Sequence, residues 1–238
     1  MPAIRPPHAR TTQDVSRPSL IHDDVRIPIG SVSLEGDLAL PSDPAGLVVF
    51  AHGSGSSRHS VRNQLVARLL RDAGMGTLLF DLLTPGEEAV DRQTEHLRFD
   101  IGLLSHRLSG AAEWCRKNED ARGLPLGFFG ASTGGAAALM AAAEPLSAVR
   151  SVVLRGGRPD LAGAALKNVR APTLLIVGGE DDWVLQRNIE AYGQLTCEKE
   201  LKIVPGASHL FEEPGALEQV AGHAAAWFGR TLAKGASR

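Results

Sequence analysis

Ser132 stands at the centre of residues 130–134, whose sequence Gly-Ala-Ser-Thr-Gly is a G-x-S-x-G pattern. An apolar run at 124–129 precedes the pattern and a run of small residues at 135–140 follows it, which favours a strand before the serine and a helix after it. A tight turn at such a junction needs small flanking residues and leaves the serine hydroxyl exposed above the edge of a sheet. The pattern therefore predicts a nucleophilic serine.

A serine hydroxyl becomes a good nucleophile when an imidazole takes its proton and a carboxylate orients that imidazole. His209 lies in a turn-rich segment just beyond the last predicted strand, and Asp181 comes directly after the predicted strand at 173–177. We expect the three side chains at the same edge of a parallel sheet, where open α/β sheets bind their ligands. The order Ser, Asp, His is typical of nucleophile-elbow hydrolases. Glu180 and Asp182 are alternatives for the acid, because the sequence leaves the direction of loop side chains open.

Acyl transfer also needs hydrogen-bond donors for the oxyanion that forms on the substrate. Residues 52–57 read His-Gly-Ser-Gly-Ser-Ser and follow a predicted strand at 46–51. The glycines allow the backbone to approach a ligand closely. We predict that the backbone N–H groups of Ser54 and Thr133 form the oxyanion hole.

The elements that must position these residues alternate between short apolar runs and longer periodic ones, which is typical of an α/β fold with a mostly parallel sheet. The predicted strands lie at 25–29, 32–40, 46–51, 76–80, 126–129, 151–154, 173–177 and 201–204. The first two form an antiparallel pair, because only Gly30 and Ser31 separate them. Amphipathic spacing predicts helices at 61–73, 97–115 and 214–232. The short connection between 154 and 173 leaves no room there for a large cap domain.

Residues 25–232 together resemble the α/β-hydrolase superfamily, and more closely its dienelactone-hydrolase-like group of members without a lid. The resemblance implies that Ser132 is the nucleophile, Asp181 the acid and His209 the base. It favours Asp181 over its neighbours, because the superfamily usually places the acid three residues before a small apolar residue, here Val184. Dienelactone hydrolases in the strict sense use cysteine at the elbow, so the resemblance implies ester or thioester hydrolysis rather than the dienelactone substrate.

Four further residues are candidates for substrate binding. Arg155 and Arg158 follow a predicted strand at the same edge, where a guanidinium could bind a substrate carboxylate bidentately or could simply be solvated. Trp183 could line an acyl pocket or pack on a helix. His52 could act as a second base, although the resemblance implies a structural role for it.

Composition points to a small-molecule substrate. The 238 residues include 25 basic and 27 acidic side chains, for a net charge of -2, which offers no bulk attraction for nucleic acid or an anionic membrane. No H-E-x-x-H or G-K-S/T pattern occurs, so we expect no metal and no cofactor. Cys115 and Cys197 are expected to be buried thiols rather than a disulfide framework. No oligomeric state follows from these features.

Residues 1–24 contain four prolines and lack the continuous apolar core of a signal peptide. We expect a mobile N-terminal arm over 1–24, a single α/β domain over 25–238 and a cytoplasmic location. The function predicted for that domain is a serine hydrolase that cleaves a carboxylic ester, lactone or thioester through an acyl-enzyme. An acyltransferase with the same triad, or a small-molecule-binding protein on a hydrolase scaffold, are the alternatives.

Overall fold

A mostly parallel eight-stranded sheet forms the centre of the protein. The computed structural model describes residues 20–232. Its strands are β1 (Ile21–Ile29), β2 (Val32–Leu40), β3 (Leu47–Ala51), β4 (Gly76–Phe80), β5 (Leu126–Ala131), β6 (Val149–Arg155), β7 (Thr173–Gly178) and β8 (Lys199–Val204). They are ordered β1-β2-β4-β3-β5-β6-β7-β8. β1 pairs antiparallel with β2, and β2 antiparallel with β4, while all other neighbours run parallel.

Helices cover both faces of this sheet. The α-helices are α1 (Val61–Asp72), α2 (Pro85–Thr94), α3 (Ile101–Lys117), α4 (Thr133–Ala142), α5 (Asp182–Gln194) and α6 (Ala216–Leu232), with 3₁₀ segments at Leu97–Phe99 and Pro159–Asn168. Phe128 belongs to a core shared with α3, α4 and α5, whereas Phe129 belongs to a core shared with α1 and α6. Successive residues of β5 therefore face opposite helical layers, as strand geometry requires.

The predicted fold class is confirmed: helices flank a mostly parallel sheet of eight strands, and no large cap is inserted between residues 20 and 232. The segment between β6 and β7, predicted to be too short for a cap domain, holds only the second 3₁₀ segment. The parallel strands place their carboxyl ends at one edge, so the segments that follow β3, β5, β6 and β7 meet there.

The start of the first strand differs from the prediction. β1 begins at Ile21, so residues 21–24, which we assigned to the arm, belong to the hairpin and pair with residues 37–40 of β2. Backbone hydrogen bonding on an exposed edge strand holds this segment, and its Ile-His-Asp-Asp sequence shows no apolar alternation. The rest of the predicted arm, residues 1–19, lies outside the described residues.

The helix predicted at 97–115 is also divided. Residues 97–99 form a 3₁₀ turn, and α3 begins only after Asp100, whose carboxylate accepts a hydrogen bond of 2.9 Å from the N–H of Leu103. Similarly, α6 begins at Ala216 rather than at 214. Between residues 20 and 232, none of the helices has the length and apolar character of a membrane span.

Candidate active site

Ser132 occupies a strained turn between β5 and α4. Its φ of 49° and ψ of -121° are unfavourable for an L-residue and cost on the order of 1–3 kcal/mol. A Cβ at Gly130 would lie 2.6 Å from the carbonyl oxygen of Gly134, and one at Gly134 would lie 2.5 Å from that of His52. Neighbouring backbone segments lie too close to positions 130 and 134 for any side chain, which explains the two glycines of the pentapeptide.

Asp181 and His209 form a hydrogen-bonded pair. The Oδ2 of Asp181 lies 2.6 Å from Nδ1 of His209, and the Asp181 side chain is only 14% exposed. Asp181 precedes α5 but does not cap it with its side chain, because the carboxylate turns toward the imidazole instead. Glu180 and Asp182 are exposed. The structure therefore joins Asp181 to His209 and not either neighbour.

Backbone contacts hold the loops of this pair together. The N–H of Glu180 donates to the carbonyl of Ala207 over 3.0 Å, and a Cβ at Gly178 would lie 2.6 Å from the carbonyl oxygen of Ser208. The N–H of Ser208 donates to Oε1 of Glu213 at 3.0 Å, and hydrogen bonding by the Ser208 side chain, more than by this N–H, lowers the pKa of the Glu213 carboxyl. These bonds fix the segment on either side of His209.

Ser132 and His209 contact the same short segment after β6. The N–H of Arg158 donates to the carbonyl of Ser132 at 3.0 Å, and a Cβ at Gly156 would lie 3.4 Å from Nδ1 of His209. Within residues 20–232, however, no hydrogen bond joins the hydroxyl of Ser132 to His209. Catalytic hydrogen bonds are often long in the absence of substrate and tighten when it binds.

His52 anchors the loop after β3. Its Nε2 accepts a hydrogen bond of 3.1 Å from the N–H of Leu82, so its proton is on Nδ1, which lies 3.0 Å from the carbonyl oxygen of Gly53. Burial lowers the pKa of His52, which favours this neutral form. Both ring nitrogens are occupied by backbone partners, which supports the structural role over that of a second base.

The two predicted oxyanion donors come from segments that meet at Ser132. A Cβ at Gly53 would lie 3.0 Å from Cβ of Ser132, so the loop carrying Ser54 passes directly beside the serine. Thr133 is the first residue of α4, where backbone N–H groups have no acceptor within the helix. Ser54 and Thr133 line the same cavity of about 270 Å³.

Arg58 fixes the far end of the loop that carries Ser54. Its backbone N–H donates to Oδ1 of Asp81 at 2.8 Å, and its guanidinium also bonds to Asp81. The same guanidinium reaches Glu35 at 3.0 Å and Asp37 at 3.4 Å. Arg58 thus links the loop to the hairpin and to the end of β4.

The opposite wall of the cavity comes from residues that we did not single out in the sequence. Asp91, on α2, accepts hydrogen bonds from the N–H groups of Leu97 and Arg98 and from Nε of Arg98, the last at 2.6 Å. Burial acts to raise the pKa of Asp91, but these hydrogen bonds outweigh it and lower the pKa. A capping box of Thr84 and Glu87 begins α2, and this T-x-x-E signal was readable in the sequence.

Arg158 and Trp183, two of the candidates for substrate binding, contact each other. Nε and Nη2 of Arg158 bond to Asp160 at 2.9 and 2.7 Å, and Cζ of Arg158 lies 4.4 Å from the centre of the Trp183 ring. Trp183 is 54% exposed and also contacts Arg187. The Nε–Nη2 face of Arg158 therefore bonds to Asp160, and Trp183 stacks on the guanidinium of Arg158.

Arg155 differs from Arg158 in burial and in pairing. It is 8% exposed, and within the described part of the chain its guanidinium makes no hydrogen bond or ion pair. Burial, with a contribution from Arg62, lowers its pKa to about 10. Between residues 20 and 232, no group of three or more His, Cys, Asp or Glu side chains is arranged to hold a metal ion.

Comparison with known proteins places this architecture among hydrolases. Residues 44–226 match the model of a family described as an alpha/beta hydrolase domain. A dienelactone hydrolase from Anabaena variabilis is 56% identical, with a TM-score of 0.88 over 91% of this chain and 99% of that one. Est1E from Butyrivibrio proteoclasticus, at 15% identity, shares the fold with a TM-score of 0.73 over 89% of this chain and 99% of that one.

Two curated proteins from Mycobacterium tuberculosis strains carry a different name. Both are called "Putative phosphoribosyl transferase" and are 55% identical over 211 residues, which are 89% of this chain. The match covers 47% of each of them, so the chain spans about half the length of these relatives.

Proposed function

Because the chain belongs to the α/β-hydrolase domain family, in its dienelactone-hydrolase-like group, we propose that it is a serine hydrolase of small carboxylic esters, lactones or thioesters. In this proposal Ser132 is the nucleophile, His209 the general base and Asp181 the carboxylate that orients the imidazole. The backbone N–H groups of Ser54 and Thr133 hold the oxyanion.

The strained backbone of Ser132 is the observation that carries this proposal. Unfavourable dihedral angles persist only where surrounding packing enforces them, and they concentrate at functional sites. Here the close passage of Gly130, Gly134 and Gly53 enforces the turn, and the result is a serine at the carboxyl edge of the sheet. A purely structural turn at this junction would be less strained with glycine in place of serine.

The proposed cycle begins when His209 takes the proton of the Ser132 hydroxyl as its oxygen attacks the acyl carbon. The 2.6 Å hydrogen bond that Nδ1 of His209 donates to Asp181 stabilises the imidazolium and keeps the free Nε2 directed away from the carboxylate. His209 then gives the proton to the leaving alcohol or thiol. Water attacks the acyl-enzyme with His209 again as base, and Ser132 is released.

The cavity beside the oxyanion loop supports a small substrate. Its volume of about 270 Å³ lies near the lower end of small-molecule sites. Leu82, Leu83 and Leu104 supply apolar lining, while Arg98 and Ser57 supply polar lining. We propose that one part of the ester, either its acyl or its leaving group, occupies this cavity.

We propose hydrolysis rather than phosphoribosyl transfer for this chain. The curated relatives have about as much sequence again outside the match, and their name describes the whole protein. The site in this chain centres on a strained serine and a paired histidine, which suit acyl chemistry.

The proposal is tested with Ser132→Ala and a panel of p-nitrophenyl esters of increasing acyl length. We expect the wild type to turn over short esters and the variant to lose turnover while keeping its circular dichroism spectrum and Tm. Wild-type turnover by the variant would remove Ser132 from its role. Repeating the assay with an added alcohol acceptor separates hydrolysis from acyl transfer, because a transferase yields a new ester.

A further inference from the structure

The guanidinium of Arg155 is a buried cation that has no counter-ion among residues 20–232. Arg155 ends β6, and its strand neighbours on the same face of the sheet are apolar: Ala131 on β5 and Ile176 on β7. Within residues 20–232 the guanidinium makes no ion pair and no hydrogen bond, and its Nη1 is enclosed without an acceptor. Buried charges in proteins are normally paired, because an unpaired one costs several kcal/mol.

A second guanidinium belongs to the same side of the sheet, because Ile176, the strand neighbour of Arg155, shares a core with α1, which carries Arg62. The charge of Arg62, on α1, contributes to the lowered pKa of Arg155. Nε of Arg62 is enclosed and unpartnered, while its Nη1 reaches Glu212 at 3.1 Å. The Glu212 side chain is 64% exposed, and exposed ion pairs contribute little energy. Glu212 therefore neutralises the two arginine charges only weakly. The pair of arginines therefore leaves positive charge uncompensated.

The accessible part of Arg155 has the shape that binds anions. Nη1 is fully enclosed, whereas Nε and Nη2 are unbonded but not enclosed, so they reach the remaining accessible surface. The Nε–Nη2 edge is one of the faces through which a guanidinium binds two oxygens of one anion. Arg62 lines an open cavity of about 300 Å³ together with Ser57, Ser60 and Glu88, so solvent reaches the Arg62 side of the site.

We propose that Arg155 and Arg62 form a binding site for an oxyanion that presents two oxygens, as carboxylates and phosphates do. The backbone of Arg155 adjoins the proposed catalytic serine, because the carbonyl of Arg155 accepts a hydrogen bond from the N–H of Ser132 at 3.4 Å. Next to it along the chain, Gly156 contacts His209. The anion is therefore either a free ion bound beside the catalytic centre or an anionic group on the substrate, and the second case rests on the proposed function.

The first arm of the test measures free anion binding with inorganic phosphate. Wild type, Arg155→Gln and Arg150→Gln are titrated with phosphate against chloride at constant ionic strength and pH 7.5, with Tm as the readout. Arg150 is the matched control, because it is an exposed arginine on the same strand. If phosphate binds, Arg155→Gln should weaken its affinity about 10- to 100-fold, as expected for loss of charged hydrogen bonds. Arg150→Gln should leave it unchanged.

The second arm compares two p-nitrophenyl esters of equal acyl length, one ending in a carboxylate and one in its methyl ester. If the anion belongs to the substrate, the wild type prefers the charged ester in kcat/KM, and Arg155→Gln reduces that preference about tenfold or more. Arg150→Gln retains it. A positive result in either arm supports the site and identifies the source of the anion.

Two further observations keep the test decisive. Without added anion, Arg155→Gln should be at least as stable as the wild type, because it removes an unpaired buried charge; a clear fall in Tm would indicate a structural partner and count against the site. If the glutamine variant does not fold, Arg62→Gln serves in both arms.

Phosphate binding must survive in Ser132→Ala, because the anion site does not depend on the serine hydroxyl. Failure of the catalytic assignment is therefore distinguishable from failure of the anion site. The proposal is overturned if no variant changes phosphate affinity or ester preference.

Discussion

Asp181→Asn tests whether the carboxylate beside His209 supports catalysis. The structure places the carboxylate oxygen 2.6 Å from Nδ1 of His209, with the Asp181 side chain 14% exposed. Unit charges about 4 Å apart interact by about 4 kcal/mol at the effective dielectric typical near a protein surface. Loss of that stabilisation from the transition state corresponds to about a thousandfold in rate. Because the His209 side chain is 37% exposed, solvent screens part of its interaction with Asp181. We therefore expect Asp181→Asn to lower kcat/KM about 100- to 1000-fold.

The assay is kcat/KM for a short p-nitrophenyl ester, measured at pH 7.5 alongside Asp182→Asn. Asp182 is the matched control: it is adjacent in sequence, carries the same charge and is exposed. Its substitution should change kcat/KM by no more than about twofold, in line with other exposed positions. Unfolding curves establish that both variants are folded. If Asp181→Asn retains more than a third of wild-type kcat/KM, or if the Asp182 variant loses as much, the pairing has no catalytic role.

Two further outcomes follow from buried groups. Burial lowers the pKa of His52, so its contribution to stability is complete above its unfolded pKa of about 6.5 and is lost as the pH falls. Between pH 7.5 and 5.0 the free energy of unfolding should therefore fall more for the wild type than for His52→Asn; equal falls would contradict the buried neutral ring. Burial raises the pKa of Cys115 to about 12, so a thiol reagent at pH 8 should modify only the partly buried Cys197 until the protein unfolds. Rapid labelling of Cys115 in the folded state would show that its core is open.

Local steric constraints made the elbow predictable from sequence. The tight passage at Gly130 and Gly134 excludes larger residues, so it leaves a recognisable pentapeptide between an apolar run and a helix. The same holds for the order of strands and helices, because each element has its own periodicity. The start of β1 was missed, since residues 21–24 are held by backbone pairing with β2 rather than by an apolar pattern.

At the site, the sequence did not predict the direction in which individual side chains point. The choice among Glu180, Asp181 and Asp182 depends on how their loop packs against Ala207, which is distant in sequence. Arg155 and Arg158 looked equivalent in the sequence, but one lies on a buried strand face and the other beside Asp160. The packing of the acid loop and the burial of Arg155 come from tertiary contacts and leave no local signal, whereas Arg158 and Asp160 are only two residues apart.

A fluorophosphonate probe tests the central claim most directly, because it reacts with serine hydroxyls that a base has activated. The wild-type protein is incubated with the probe, digested and sequenced by mass spectrometry, with Ser132→Ala and His209→Gln treated in parallel. We predict stoichiometric labelling of Ser132 in the wild type and strongly reduced labelling in both variants. A wild-type protein that stays unlabelled, or that carries the label on another residue, would contradict the assignment of Ser132 as an activated nucleophile.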